Sequence, residues 1–312
     1  MNGRALALVA LVACGHAAPP IAPGPIAVPV RASTAGDALL ARVPAEADLL
    51  IEIDLARAMA NPVIGGATTA WVAPTRGDAR AIPTLPGLAL GAAPAPLSGV
   101  RTLAIVAYGI GSGAPAAVTL LVTDREVPDG VALGDGVVAL GPPALIARLQ
   151  AVARGETPAL STDDEFLALR AQAMPRAATG ATARLTARLD LDARVALGAV
   201  VGSDLAPASL SIWADVADDA AAVAIADGHD AADGGGPRLA AALGRARIAL
   251  AGSTALLHLG LLPAVKAARI TRQGDRVEVI ATIGPRRLAE VASRITTAAA
   301  AVDEPPPDAN RK

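Results

Sequence analysis

One short stretch of the sequence combines carboxylates with an imidazole, the side chains from which many metal sites are built. Asp227, His229 and Asp230 lie close together, and Asp233 follows them. An oxygen-rich ligand set suits Ca²⁺ better than Zn²⁺, but the spacing lacks the alternating ligands and the closing glutamate of a calcium loop. A solvated acidic loop between a strand and a helix explains the same residues. We therefore predict no metal site, with these four residues as the weak candidates for one.

Other patterns that resemble catalytic or nucleotide-binding motifs fall short of them. GIGSG at Gly109–Gly113 lacks the final glycine of a dinucleotide fingerprint and is followed closely by a proline, so a hairpin turn explains it better. The chain has no Gly-Lys pair for a P-loop and no G-x-S-x-G elbow. His258 stands among leucines, which favours a buried or half-buried histidine over a catalytic base. We expect no enzyme, no catalytic residue and no cofactor.

Paired carboxylates occur along two predicted strands. Glu52 alternates with Asp54, and Asp190 alternates with Asp192, which would place each pair on one face of a sheet. Solvation of an exposed sheet face accounts for both pairs without acid–base chemistry. The repetition of this pattern indicates an internal duplication rather than a catalytic site.

The only cysteine, Cys14, follows a short apolar segment. Arg4 supplies a positive start, and Ala5–Ala13 is an apolar run that is typical of a secretion signal and too short to span a bilayer. The residues Leu11-Val12-Ala13-Cys14 resemble the lipobox of bacterial lipoproteins, in which the cysteine receives a lipid before the leader is removed. A lone thiol in an exported protein has no internal disulfide partner, and lipid attachment explains it. The alternative is an ordinary signal peptide cut near Ala17.

This resemblance implies a location and a tether. Several acyl chains on one residue would anchor the protein stably to a membrane in the cell envelope. Gly15 in place of aspartate after the cysteine favours the outer membrane, with the protein facing the periplasm. Residues 14–36 are rich in proline and small side chains, which predicts an extended tether. Residues 298–312 are predicted to form a disordered tail.

Two pairs of similar segments predict a duplicated body. IEIDLARAMANPVIGG from Ile51 resembles LDLDARVALGAVVG from Leu189, and the turn, strand and Gly-Pro helix start from Gly134 recur from Gly274. Chance similarity in an alanine-rich chain is the alternative. We predict a first α+β repeat at residues 37–157 and a second at 158–297. The predicted fold class is α+β, with two tandem duplicated halves, each a mainly antiparallel sheet with helices packed on one face.

Hydrophobic periodicity and turn residues place the elements within these halves. Pro62 must kink or interrupt a helix predicted over Ala56–Val72, and Thr162 is the expected cap of a helix over Asp163–Ala173. Pro74–Ser98 is predicted to be a loop. Further helices are expected at Pro142–Ala153, Pro237–Leu250 and Arg286–Thr296. Strands are expected at Asp48–Leu55, Arg101–Tyr108, Ala116–Thr123, Val137–Leu140, Ala183–Asp190, Ser209–Asp215 and Ala221–Ala226, with a hairpin at Ala268–Ile283.

Composition limits the classes of function. The chain has 312 residues, of which 53% are hydrophobic, so it can bury a substantial core. The net charge of −2 and the absence of a basic stripe argue against nucleic acid as a partner. We expect a lipid-anchored, non-catalytic protein that binds an envelope protein or has a structural role. The alternative is a periplasmic module that binds a small molecule in a cleft between its halves. Pro44–Leu55 also resembles a strand of uncharacterised secreted proteins, which implies no activity.

Overall fold

The strands of this chain pair into one continuous antiparallel sheet. The computed structural model describes residues 35–72, 97–112, 114–195, 207–227 and 235–303. Within them the strands are β1 Leu49–Asp54, β2 Val100–Tyr108, β3 Ala116–Thr123, β4 Val131–Gly134, β5 Val137–Leu140, β6 Ala183–Arg188, β7 Ser209–Val216, β8 Ala220–Asp227, β9 Arg269–Gln273 and β10 Arg276–Ile283. They lie in the order β4-β5-β3-β2-β1-β6-β7-β8-β10-β9. The predicted strands agree with these bounds to within two residues, whereas the edge strand β4 was not predicted.

The described helices are α1 Ala35–Leu40, α2 Leu55–Ala60, α3 Gly65–Val72, α4 Pro143–Ala153, α5 Asp164–Gln172, α6 Gly235–Ala251, α7 Thr254–Leu259, α8 Leu262–Ala267 and α9 Pro285–Asp303. The predicted interruption at Pro62 is confirmed, because α2 and α3 are separate helices on either side of it. Asn61 lies in this gap and accepts the N–H groups of Val63 and Ile64. In the described part of the chain, no helix has both the length and the hydropathy needed to cross a bilayer.

Helices cover both faces of the sheet, so the prediction of one covered face is wrong. Helices α1, α4 and α5 pack on the face that carries Leu50, Val106 and Leu120. Helices α2, α3 and α6 to α9 pack on the opposite face. Nearly every residue of β2 and β3 is buried, and strands that are apolar on both sides require cover on both sides.

The boundary between the predicted halves is a strand pair within the sheet. β1 pairs with β6 from Leu49↔Ala187 to Ile53↔Ala183, whereas the sequence predicted a separate sheet in each half. Outward from this pair the strands follow in the order β2-β3-β5-β4 on one side and β7-β8-β10-β9 on the other. The helix that follows the last strand of each half differs in position. Helix α4, after β5, packs on one face of the sheet, and α9, after β10, packs on the opposite face.

The first pair of similar segments does not align as predicted. Ile51–Asp54 lies in a strand, but the segment from Leu189 follows the end of β6, and residues 191–195 are helical. Asp54 and Asp190 instead have equivalent roles, because each carboxylate accepts an N–H group at the start of the next helix, both at 2.8 Å. Asp190 and Asp192 therefore do not share a strand face.

The second pair of segments has the predicted turn, strand and helix in both copies. In the first copy the turn at Gly134 precedes β5 and α4, and in the second the turn at Gly274 precedes β10 and α9. A proline occupies the first turn of each helix, where its missing N–H costs nothing. Helix α9 continues to Asp303, beyond the predicted start of the tail at residue 298.

Candidate functional site

Few of the predicted site residues lie in the described part of the chain. Cys14 lies outside it, as do His229, Asp230 and Asp233, and also most of the predicted loop at residues 74–98. Asp227 is the last residue of β8 and is half-buried. The weak metal candidate therefore remains a sequence-based prediction. Among the residues that the structure describes, no three His, Cys, Asp or Glu side chains are grouped closely enough to hold a metal ion.

Two of the sequence-based interpretations change at the level of single residues. His258 is exposed on α7, so the prediction that it is buried or half-buried is wrong. Asp163, rather than Thr162, caps α5, since its carboxylate accepts the N–H of Phe166 at 2.9 Å. Asp163 is partly buried, which by itself would raise its pKa, but this hydrogen bond and the Arg188 guanidinium together lower the pKa.

A buried ion pair lies at the middle of the sheet, on the face covered by α5. Arg170 of α5 donates from Nε and Nη2 to the two carboxylate oxygens of Glu52 on β1, each at 2.7 Å. Its Nη1 donates to Asp37 of α1 at 3.4 Å. Glu52 is 6% exposed and Arg170 is 3% exposed, so the prediction that Glu52 lies on a solvated sheet face is wrong.

This pair connects two helices to the central strand rather than presenting a reactive group. Burial alone would lower the pKa of Arg170, but the negative charge of Glu52 and then of Asp37 outweighs burial and raises it. Both oxygens of Glu52 accept a charged N–H, so the carboxylate is held as an acceptor. Phe166 and Arg170 are both buried and lie one helical turn apart. That spacing was the only sequence indication that Arg170 faces the core.

A second ion pair joins α2 to β7. Arg57 donates from Nε to Asp215 Oδ1 at 2.7 Å and from Nη2 to Oδ2 at 2.5 Å. The hydroxyl of Thr182 donates to the same carboxylate at 2.9 Å. The hydrogen bond with Asp215 raises the pKa of Arg57. This pair fixes an element of the first half against a strand of the second, and sequence reasoning did not identify it.

A third polar group lies where β2 turns into β3. Asp48 accepts the N–H of Ile110 at 3.1 Å, and its partial burial raises its pKa despite that bond, with Asp190 adding repulsion and Arg188 opposing it. The predicted hairpin turn here is confirmed, because β2 ends at Tyr108 and β3 begins at Ala116. A side chain on Gly111 would meet the backbone nitrogen of Ala193 at 2.3 Å. The turn therefore packs directly against the helical residues 191–195.

A groove of about 500 Å³ lies between helices of the two halves, α3 and α9. Small or apolar side chains line the groove, and among the lining residues only Ser293 has a polar side chain. An apolar ligand would fit this lining better than a charged one. The residues that line it are Pro62, Val63, Gly66, Ala67, Ala289, Ala292 and Ser293.

Comparisons with known proteins add little to this description. No protein-family model matches the chain, and no curated protein is similar to it at a significant level. A solved structure, crystal form I of TP0453, is similar at a TM-score of 0.38 and 9% sequence identity, over 82% of this chain and 96% of that chain. The function of the chain is therefore inferred from its own residues.

Proposed function

We propose that this chain is a lipid-anchored protein of the cell envelope whose body is non-catalytic and binds a partner protein or has a structural role. The observation that carries the proposal is the single cysteine, Cys14, placed directly behind the apolar run Ala5–Ala13. A thioether-linked lipid at this position accounts for an unpaired thiol in an exported protein. Gly15 favours the outer membrane over the inner one.

Five of the described carboxylates hold elements together, which supports a structural role for them. Glu52 is held by Arg170, and Asp215 is held by Arg57. Asp54, Asp163 and Asp190 accept N–H groups at helix starts. A general acid or base needs a titrating group that can reach a substrate, and these side chains are engaged in holding elements together.

Mass spectrometry of the native protein tests the anchor directly. We expect an N-terminal cysteine that carries acyl chains, and recovery of the protein in the outer-membrane fraction. The Cys14→Ala variant should remain unacylated and leave that fraction. An intact Met1 start on an unacylated protein in the cytosol would contradict the proposal.

Calorimetry tests the expectation that the body holds no metal. Titration of the full chain with Ca²⁺ or Zn²⁺ is expected to release no heat, because the Asp227–Asp233 segment lacks the ligand spacing of a calcium loop. Heat that disappears in an Asp227→Asn variant would instead assign a cation to this segment.

The alternative function, a module that binds a small molecule between the halves, is favoured by the groove between α3 and α9. An apolar fluorescent dye should then bind the full chain at this groove. Ala289→Phe, on the wall of the groove, should reduce dye binding, while Ala241→Phe at an exposed position of α6 should not. Equal dye binding by both variants would argue against this function.

We also propose that the two halves arose by duplication. The matching strand order on either side of the β1–β6 pair supports this, and so do the equivalent caps Asp54 and Asp190. The opposite placement of α4 and α9 requires a later rearrangement. A profile built from homologous sequences should align the halves with Asp54 on Asp190 and Gly134 on Gly274. Failure to detect any alignment between the halves would contradict duplication.

A further inference from the structure

The helices α6 to α8 belong to a segment that carries positive charge only. Between Asp233 and Asp275 the sequence contains no acidic residue, in a protein whose net charge is −2. The same segment contains six cationic residues, Arg238, Arg245, Arg247, Lys266, Arg269 and Arg272. The next acids along the chain are engaged, since Asp275 accepts the N–H of Gly236 and Glu278 accepts the Thr271 hydroxyl. The exposed cations Arg245 and Lys266 are therefore complementary to a negatively charged partner.

The turn that joins α6 to α7 exposes large apolar side chains. Ile248 near the end of α6 is 70% exposed, and Leu257 on α7 is 56% exposed. Leu250 is exposed as well. Gly252 and Ser253 form the turn between them and close it with N–H bonds to Ala249 and Leu250. Residues 248–257 form the α6–α7 tip. Its exposed leucine and isoleucine side chains cost solvation free energy unless an apolar medium covers them.

One cationic and one apolar side chain share the outward side of α6. Arg245 and Ile248 are three residues apart on α6 and are both exposed, so they share one side of that helix. Arg245 and Lys266 are exposed and make no ion pair within the described residues. The base of the tip is held to the body by Leu256, which is buried in the cluster with Val265 and Leu288. The tip thus projects while its base is fixed.

We propose that the α6–α7 tip, with its flanking cations, docks onto the surface of a membrane that contains anionic phospholipid. Ile248, Leu250 and Leu257 enter the region between headgroups and acyl chains, and Arg245 and Lys266 contact phosphate groups. Apolar side chains flanked by cations without acids are the combination that binds such a surface. An acidic protein surface would satisfy the cations but would leave isolated apolar side chains without an acyl layer to enter.

Vesicle flotation of the full chain tests this docking independently of the lipid on Cys14. The protein should carry Cys14→Ser, so that no covalent lipid contributes. We expect it to float with vesicles of phosphatidylcholine mixed with phosphatidylglycerol, to float much less with phosphatidylcholine alone, and to detach as salt is raised. Because acylation is absent, failure of the anchor proposal would not alter this result.

Two pairs of matched variants separate the apolar and cationic contributions. Ile248→Ser should lower binding roughly tenfold, because the lost apolar contact is that of a large aliphatic side chain. Leu191→Ser, at a position that is 65% exposed outside the tip, should leave binding unchanged. Arg245→Gln should lower binding about fivefold, while the exposed Arg176→Gln on another part of the surface should have no such effect.

All four positions are exposed, so the variants should fold, and circular dichroism checks this. No flotation with either kind of vesicle overturns the proposal and leaves an acidic protein as the partner. Flotation that is equal for the tip variants and their controls also overturns it.

Discussion

The Glu52–Arg170 pair shows how a single sequence position can be read wrongly from periodicity. Glu52 alternates with apolar residues along β1, and an alternating acid normally points to solvent. In this fold the second face of β1 is also covered, so the carboxylate is buried and requires a charged partner. Arg170 provides it from a helix far away in the sequence, and no local pattern could indicate that contact.

Breaking this ion pair should be costly, whereas replacing it with apolar residues should not be. Arg170→Met leaves Glu52 buried without its counter-charge, and we expect the free energy of unfolding to fall by about 3–5 kcal/mol. The double variant Glu52→Leu/Arg170→Met should recover most of that loss, because neither buried charge remains. Urea unfolding followed by circular dichroism measures both. A double variant as unstable as Arg170→Met would contradict this account of the pair.

Asp48 should make stability depend on pH in a direction opposite to that of Asp163, the cap of α5. Burial raises its pKa in the folded protein, so ionisation disfavours folding. This cost is absent below the unfolded pKa of about 3.9 and is complete once the pH exceeds the folded pKa. Asp48→Asn keeps an oxygen that can accept the Ile110 N–H and should be at least as stable as the parent at neutral pH.

The comparison to make is the difference in unfolding free energy between Asp48→Asn and the parent across acid pH. That difference should shrink as the pH falls through the raised pKa of Asp48 in the folded protein, and it should be absent below about pH 4. The opposite dependence is expected for Asp163→Asn, because the lowered pKa of Asp163 stabilises the folded state above the unfolded pKa. Identical profiles for the two variants would show that Asp48 is not destabilised by burial.

At the scale of elements, the sequence predicted the position of a strand or helix wherever nearby residues determine where that element begins and ends. Turn glycines, the proline after Asn61 and runs of β-branched residues located most strands and helices to within two residues. Helices α7 and α8 were missed because Ile248–Val265 has no charged residue, and its short helices are ended by Gly260 and restarted near Pro263. An uncharged run of this kind does not show the periodicity that marks an amphipathic helix.

Two glycines of α6 should respond in opposite directions to the same substitution. A Cβ on Gly236 would lie 2.3 Å from the carbonyl oxygen of Gly274, so the start of α6 must move away from the β9–β10 turn. Gly236→Ala should therefore destabilise the protein by roughly 1–3 kcal/mol. At Gly244 a Cβ meets no atom within 4 Å, and Gly244→Ala should stabilise by about 0.5–1 kcal/mol.

Thermal unfolding of the two glycine variants beside the parent gives the measurement. The melting temperature should fall for Gly236→Ala and rise for Gly244→Ala. A lower melting temperature for both would mean that α6 packs more tightly around Gly244 than the structure indicates.

At the scale of the whole molecule, the main difference from the sequence-based prediction is the pairing of β1 with β6. Each half has the elements of a small α+β unit, and nothing in the local sequence of β1 specifies which strand lies on its second edge. Register and partner choice come from burial on both faces, which depends on residues far apart in the chain. The ion pairs of the candidate site were equally hard to predict, because their partners lie far apart in the sequence. One group joins α1, α5 and β1, and the other joins α2 and β7.

One continuous sheet predicts one cooperative unit. The edge of β1 is hydrogen-bonded to β6 from Leu49 to Ile53, and Ala187 belongs to the same core cluster as Leu103. A chain limited to residues 35–157 would expose that edge and part of that cluster, so we expect it to aggregate or to lack a cooperative transition. The full chain should instead unfold in a single step, with the slowest hydrogen exchange at β1 and β6.

Differential scanning calorimetry of the full chain and of the isolated half shows whether the two halves unfold as one cooperative unit or as two separate units. If each half showed its own transition at the temperature seen in the full chain, the halves would be separate folding units and the shared strand pair would add little stability. A single transition that is lost in the isolated half would mean that β1 and β6 depend on each other. Ion pairs such as Arg57–Asp215, which cross between the halves, would then reinforce a coupling that the sheet itself creates.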